Sequence, residues 1–348
     1  MIIFSSFLLC FATACNNAKQ PPKTDIAKTP EELDIKASDV ILAALKFAAE
    51  NEGKIDDTIQ LVYTNQLRLV YENNQFGTIW SSKEQWKPLA DSLLHFIEYA
   101  KLYGLFPEDY HFPTLDSLNK KFKDTLAFNT RRDAVQWAKA DLMLSDGFLH
   151  IIKDLKLGRL PQDSISQRKD SVLSDSFYLA QLEAVQRNGL LTEVLHSLEP
   201  IHGGYTALKE GIKHFLDSAD NRVYTVVPPR PKKDSLPFTV ALQQRLYEGG
   251  FIDSVQVDSA KLAGGVKKFQ QTKGITVDGK AGNETIRLLN ESDKDRFVRI
   301  AITLDRYKML PEKMPTRYVW VNLPGYTMQL VERSEEHTSE LQSQNRIS

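Results

Sequence analysis

Cysteine is almost missing from this 348-residue chain: Cys10 and Cys15 are the two present, and none follows. The folded body therefore has no intramolecular disulfide, no thiolate metal cluster and no cysteine nucleophile. An excess of charge is missing too. The 44 basic and 45 acidic residues leave a net charge of -1, without the strongly basic face that nucleic acid requires, so no nucleic-acid partner is expected. Long apolar runs are also lacking, since the stretch Ile2 to Ala14 is too short to cross a bilayer as a helix. The six histidines before His337 are scattered, with no His-x-x-x-His pair, so no metal site is expected and no cofactor is implied. What is present, 42% hydrophobic and 9% aromatic residues, is the composition of a folded globular protein, and the length points to two or three domains.

Residues 1–14 read as a targeting segment. The small residues Ala12, Thr13 and Ala14 lead into Cys15, which resembles a bacterial lipoprotein signal, cleaved before Cys15 and lipidated there. Ala12 stands where leucine is usual, and no Lys or Arg precedes the run; an ordinary secretory signal is the alternative. Either reading exports the body. Residues 15–30, polar and carrying Pro21, Pro22 and Pro30, are expected to be a flexible tether at the membrane surface.

Residues 31–220 have helical periodicity. Ser38 is placed to cap a helix carrying Ile41, Leu45 and Ala48, with Gly53 beyond it. Leu89, Leu93, Phe96, Ile97 and Ala100 precede Gly104, and Ala134, Trp137, Ala138, Asp141, Leu142 and Ser145 precede Gly147. Such helices joined by short loops predict a bundle. Residues 221–237, with Pro228, Pro229, Pro231 and Pro237, predict an extended linker.

Residues 238–291 predict three short helices. Leu242 and Leu246 lie on the first, closed by Gly249-Gly250 with Phe251 over its end. Leu262, Val266 and Phe269 form the stripe of the second, which Gly274 ends in a left-handed conformation. Asp278-Gly279 then makes a tight turn, Gly282 is a second permissive position, and Asn283 caps a helix burying Ile286 and Leu289. Residues 292–311 return to helical spacing, with Pro311 as the stop. In residues 317–332 the period becomes two, and Val319, Val321 and Leu323 are followed by Pro324-Gly325 and then Met328 and Leu330, a hairpin pattern. Residues 333–348 are polar and show no such period.

Phe269, Gln270, Gly274, Asp278, Gly279, Gly282 and Thr285, together with Leu262, Val266, Leu289 and Asn290, resemble the small three-helix peptidoglycan-binding domain of bacterial cell-wall proteins. For each of them a structural role in building loops and core is the first reading. LRLVYENNQFGTIW (67–80), YGLFPEDYHF (103–112), LSDGFLHIIKDLKLGRL (144–160) and PIHGGYTALKEGI (200–212) resemble the helical scaffold domain of large L,D-transpeptidases. RFVRIAITLDRYKMLP and RYVWVNLPGYTMQLVE resemble that family's connecting helix and the opening strands of its catalytic domain. The family's nucleophile is a later cysteine that attacks the carbonyl of the third stem-peptide residue, releases the terminal D-alanine and passes the acyl group to an amine on another stem. No such cysteine follows here, so no catalytic residue is assigned. Arg333 to Ser343 resembles a translated sequencing adapter, and the expectation is a truncated parent gene, with 333–348 a non-native tail and Arg317 to Ser348 a disordered or aggregation-prone end.

Other candidate chemistry fails on its own pattern. Glu108-Asp109 are loop neighbours of the kind that cap and solvate. His202-Gly203-Gly204 has no Gly-x-Ser-x-Gly nucleophile turn to accompany it. Asn283-Glu284-Thr285 and Asn290-Glu291-Ser292 fit glycosylation acceptors that a bacterial lipoprotein would not use. The expected fold is mainly α: a helical scaffold, a three-helix peptidoglycan-binding-like domain and the start of a β-rich domain. The expected partners are peptidoglycan and, through a lipid on Cys15, the membrane of the cell envelope. The expected role is the N-terminal part of a murein L,D-transpeptidase, with a non-catalytic wall-binding lipoprotein or a purely structural spacer as the alternatives.

Overall fold

The computed structural model describes residues 20–124, 126, 128–161, 172–232, 236–311, 313–322, 326–332 and 343–346. Cys10, Cys15, the signal and Pro324-Gly325 lie outside them, as do Lys233 of the linker and positions 333–342. The chain forms two compact units. One holds the described residues through Tyr205 and those from Asp305 onward, and the other is Thr206–Leu304. The fold is mainly α, with short strands near the C-terminus.

In the first unit, α1 (Pro30–Glu50) and α2 (Thr64–Asn73) precede a two-residue hairpin, β1 (Ser81–Ser82) and β2 (Gln85–Trp86). Then come α3 (Pro88–Glu98), α4 (Phe112–Lys123), the single turn α5 (Phe128–Arg131) and α6 (Ala134–Leu157). The helices α7 (Asp175–Asn188) and α8 (Leu191–His196) complete the bundle. α6 is its axis: it is buried on nearly every face, the mark of a helix surrounded by others, and α1, α2, α3, α4 and α7 all pack on it. Trp80, Trp137, Tyr71, Tyr110 and Phe148 fill the core around it.

Three differences from the sequence expectation have physical causes. α1 begins eight residues before Ser38. Thr29 caps it by accepting from the Glu32 amide at 3.1 Å, and Pro30 fills the first turn, where no amide is needed. α6 does not stop before Gly147 but runs on to Leu157, because Gly147 keeps a helical conformation. Its missing side chain leaves room for Tyr110, whose carbonyl oxygen would lie 3.4 Å from an added Cβ. The expected tether is docked at Asp25 to Lys28, where Ile26 bridges Asp133 and Ala27 is 1% exposed.

Buried acids on α6 pin the loops. Asp141 accepts from the Tyr71 hydroxyl at 2.7 Å and from the Ile79 and Trp80 amides at 2.8 and 2.9 Å. Ser145 accepts from the Trp80 indole at 2.8 Å. Asp146 accepts from the Val62 and Tyr63 amides and pairs with His111 Nε2 at 2.8 Å, while Asp154 accepts from the Tyr110 hydroxyl at 2.8 Å. Burial raises the Asp141 pKa, opposed by these donors. Asp141 and Ser145, which share a stripe with apolar residues in the sequence, are thus polar anchors for partners 60 to 74 residues away.

Near the C-terminus, β3 (Arg317–Asn322), β4 (Thr327–Glu332) and β5 (Ser343–Arg346) form an antiparallel sheet in that order. The β3–β4 hairpin is the expected one, with Val319 opposite Leu330 and Trp320 opposite Gln329. Contrary to the expectation of a patternless tail, residues 343–346 pair with β4, aligning Ser343 with Leu330.

The second unit comprises most of α9 (Gly203–Ser218), then α10 (Leu236–Glu248), α11 (Ser259–Lys273), α12 (Asn283–Asn290) and most of α13 (Asp293–Lys308). Leu242, Leu246, Val266, Phe269, Ile286 and Leu289 make its core, together with Val227 of the expected linker. Val227 is held there by a two-way exchange: its amide donates to Asn290 Oδ1 at 2.9 Å and its carbonyl accepts from Asn290 Nδ2 at 2.8 Å. The linker is therefore not a free connector over this stretch.

Candidate functional site

The motif residues of the three-helix module gather around one side chain. Phe269 and Gln270 sit together near the C-terminal end of α11, and both are 2% exposed. Phe269 turns into the apolar core and meets Phe251 edge to face, with ring centroids 5.2 Å apart. Gln270 faces the following loop. Its Nε2 donates to Asp278 Oδ1 at 2.8 Å, the Lys280 carbonyl at 3.1 Å and Thr285 Oγ1 at 3.2 Å, and its Oε1 accepts from the Gly279 amide at 2.9 Å. A buried amide with both ends satisfied in this way joins α11, the turn and α12.

The turn itself is shaped by glycine at two places. Gly274 has a φ of 65° and ends α11, and Gly279 has a φ of 74° beside the Lys267 side chain. Gly282 differs from the expectation. Its φ of -79° is open to any residue, and it serves as the N-cap of α12, so the expected cap Asn283 is the first helical residue instead. Asp278 is exposed, and its Oδ1 also accepts from the Lys280 amide at 2.8 Å. That amide first, and the Gln270 amide second, hold its carboxyl below the usual range.

The seven motif residues are thus brought to one end of the module, but they divide by exposure. Phe269, Gln270 and Thr285 are internal, while Asp278 is open to solvent beside Thr276, Val277, Lys280, Asn283 and Glu284. This exposed rim combines an apolar side chain, an acid, an amide and a cation, groups that suit a polar ligand with peptide or sugar character. Val277 and Glu284 carry no ligand signal of their own in the sequence; only their exposure next to Asp278 and Asn283 in the chain singles them out.

The remaining sequence candidates have structural employment. Asp109 accepts from Arg159 Nη2 at 2.6 Å, and Arg159 lies over the Phe106 ring at 4.2 Å. In His202-Gly203-Gly204, the Gly204 amide donates to His202 Nδ1 at 3.0 Å, and an added Cβ on Gly204 would collide with the Tyr307 hydroxyl. The His202 ring lies 5.3 Å from Trp320 and 4.9 Å from Tyr307. The loop is a mount for the sheet. Among the described residues no group of three or more His, Cys, Asp or Glu is placed to hold a metal ion.

Two family models match parts of the chain. Residues 65–212 match the Scaffold domain family, and residues 236–289 match the Putative peptidoglycan binding domain family. No curated protein matches the chain. Among the described residues no helix is long and apolar enough to cross a membrane. A scaffold domain followed by a peptidoglycan-binding domain fits an L,D-transpeptidase-like architecture, and the second of them supports peptidoglycan as a partner and the cell envelope as the place of action.

Proposed function

We propose that the chain is the anchoring, scaffold and wall-binding portion of a murein L,D-transpeptidase, exported and lipidated on Cys15. The observation that carries this reading is the order of parts: a scaffold match, a peptidoglycan-binding match and then a β3–β4 hairpin whose string resembles the opening strands of that enzyme domain. No cysteine follows Cys15, so the acyl-transfer thiol is not among these residues. Their role is to hold stem peptide or glycan near the membrane. The rim at Val277, Asp278, Asn283 and Glu284 is the proposed contact surface, and the Gln270 network gives it a fixed shape before any ligand arrives.

A second reading, a spacer that orients other parts without touching the wall, is favoured by the burial of Phe269, Gln270 and Thr285, which a ligand cannot reach. Co-sedimentation with insoluble peptidoglycan separates the two. The full chain is expected to pellet with the wall, and the double substitution Val277→Asp, Asn283→Ala is expected to leave it in the supernatant with helical content unchanged. Equal pelleting of both proteins would move the contact away from this rim, and no pelleting of either would favour the spacer.

A further inference from the structure

The segment just after the proposed lipid site is not slack. The Asp25 amide donates to Asp133 Oδ1 at 3.0 Å, the Ala134 amide to the Asp25 carbonyl at 2.8 Å, and the Ala27 amide to the Arg132 carbonyl at 2.8 Å. Lys36 Nζ clamps the same turn from α1, donating to Asp25 Oδ1 at 2.7 Å and to the Ile26 carbonyl at 2.9 Å. The Arg132 guanidinium caps it by donating to the Lys28 carbonyl, and Ala27 is sealed in the core. Before this strap, Pro21, Pro22 and Lys23 line a groove with Asp56, Asp57 and Lys139. Among the described residues, contact with the body extends back to Gln20.

We propose that residues 20–28 form a docked strap that turns the N-terminal end of α6 toward the lipid surface. The inference rests on the reading of Cys15 as the lipid site. Four residues separate Cys15 from Gln20, and the five residue steps between them, even fully extended, reach at most about 18 Å. The groove at Asp57 and Lys139 is thereby kept next to the headgroups. The other end of α6 is held away, because Lys156 lies about 25 Å further along the helix than Lys139 at 1.5 Å per residue. Lys156 shares a cavity with Ser197, which marks that distant end. The proposed partner of the Asp57 face is the bilayer surface, and the first unit stands on it upright rather than swinging on a long tether.

The near-absence of cysteine makes this measurable. Full-length, lipid-matured chain carrying Asp57→Cys or Ser197→Cys has one free thiol for a donor dye, and liposomes with a headgroup acceptor report its height. Donor emission is expected to be lost at position 57 and kept at position 197. In an Ala27→Asp background, which expels the strap from its pocket, the difference between the two positions is expected to vanish. Equal transfer at both positions in vesicle-bound wild type would overturn the strap while leaving the anchor reading intact, as would a difference that survives Ala27→Asp. A chain that does not float with vesicles would overturn the anchor itself. In that case the Asp25 and Ala27 amides still decide the strap: slow hydrogen exchange supports it, and exchange at the rate of free peptide removes it.

Discussion

At the scale of single residues, three glycines that look alike in the sequence do different work. Gly274 and Gly279 sit at positive φ, where a Cβ meets its own backbone, whereas Gly282 has an ordinary extended backbone with open space around it. Gly274→Ala and Gly279→Ala are expected to cost about 1–2 kcal/mol each, while Gly282→Ser, at an open and extended N-cap, should be neutral or slightly stabilising, read by hydrogen exchange of the module amides. A comparable cost at Gly282 would contradict the assigned backbone. A second residue-scale expectation concerns acid. Burial pushes the Asp56 carboxyl up, but Lys139 at 2.6 Å and the Thr58 and Ile59 donors outweigh it and bring the pKa from 3.8 down to about 2. A carboxyl depressed in the folded state stabilises fully above its unfolded pKa and loses that contribution as pH falls through the folded one. Wild type is therefore expected to lose stability between about pH 4 and pH 2 more steeply than Asp56→Asn, followed by circular dichroism during acid titration. Parallel curves would remove Asp56 from the account.

At the scale of elements, α6 organises the first unit through both its apolar faces and its buried carboxylates. Asp141→Ala would leave the Tyr71 hydroxyl and the Ile79 and Trp80 amides without their acceptor, and it is expected to cost about 3–5 kcal/mol, seen as a lower urea midpoint in Trp80 fluorescence. A shift within error would mean that those donors find other partners. This element also marks how far the sequence could be read. The periodicity at Ala134, Trp137, Ala138 and Leu142 identifies a helix, because helical burial repeats locally every three to four residues. The roles of Asp141 and Asp146 were not legible, because their partners are loop amides 61 to 84 residues away and nothing local distinguishes a buried acid from a solvated one. The starting point of α1 was misplaced for a simpler reason: Ser38 and Thr29 are both acceptable caps, and Pro30 and the Glu32 amide favour Thr29. The Gln270 network was half legible. The resemblance to the small three-helix domain grouped Gln270, Asp278 and Gly279, but not the hydrogen bonds by which Gln270 ties the turn to α11 while Asp278 stays open to solvent.

At the scale of the whole molecule, the parts form a sequence of tasks. A proposed lipid site is followed at once by a docked strap, then by a bundle that holds its loops from within, and then by a small module whose open rim surrounds a buried glutamine. The expectation of mainly helical architecture holds. The expected slack at both ends of the bundle does not, since Asp25 to Lys28 and the residues around Val227 are each tied into a folded unit. The rim beside Asp278 is the proposed place where peptidoglycan is held, and hydrogen exchange of the full chain with and without soluble muropeptides reads that contact at its own amides. Slower exchange confined to the amides between Ile275 and Arg287 is the predicted result. Unchanged exchange there, with protection elsewhere or nowhere, would contradict it.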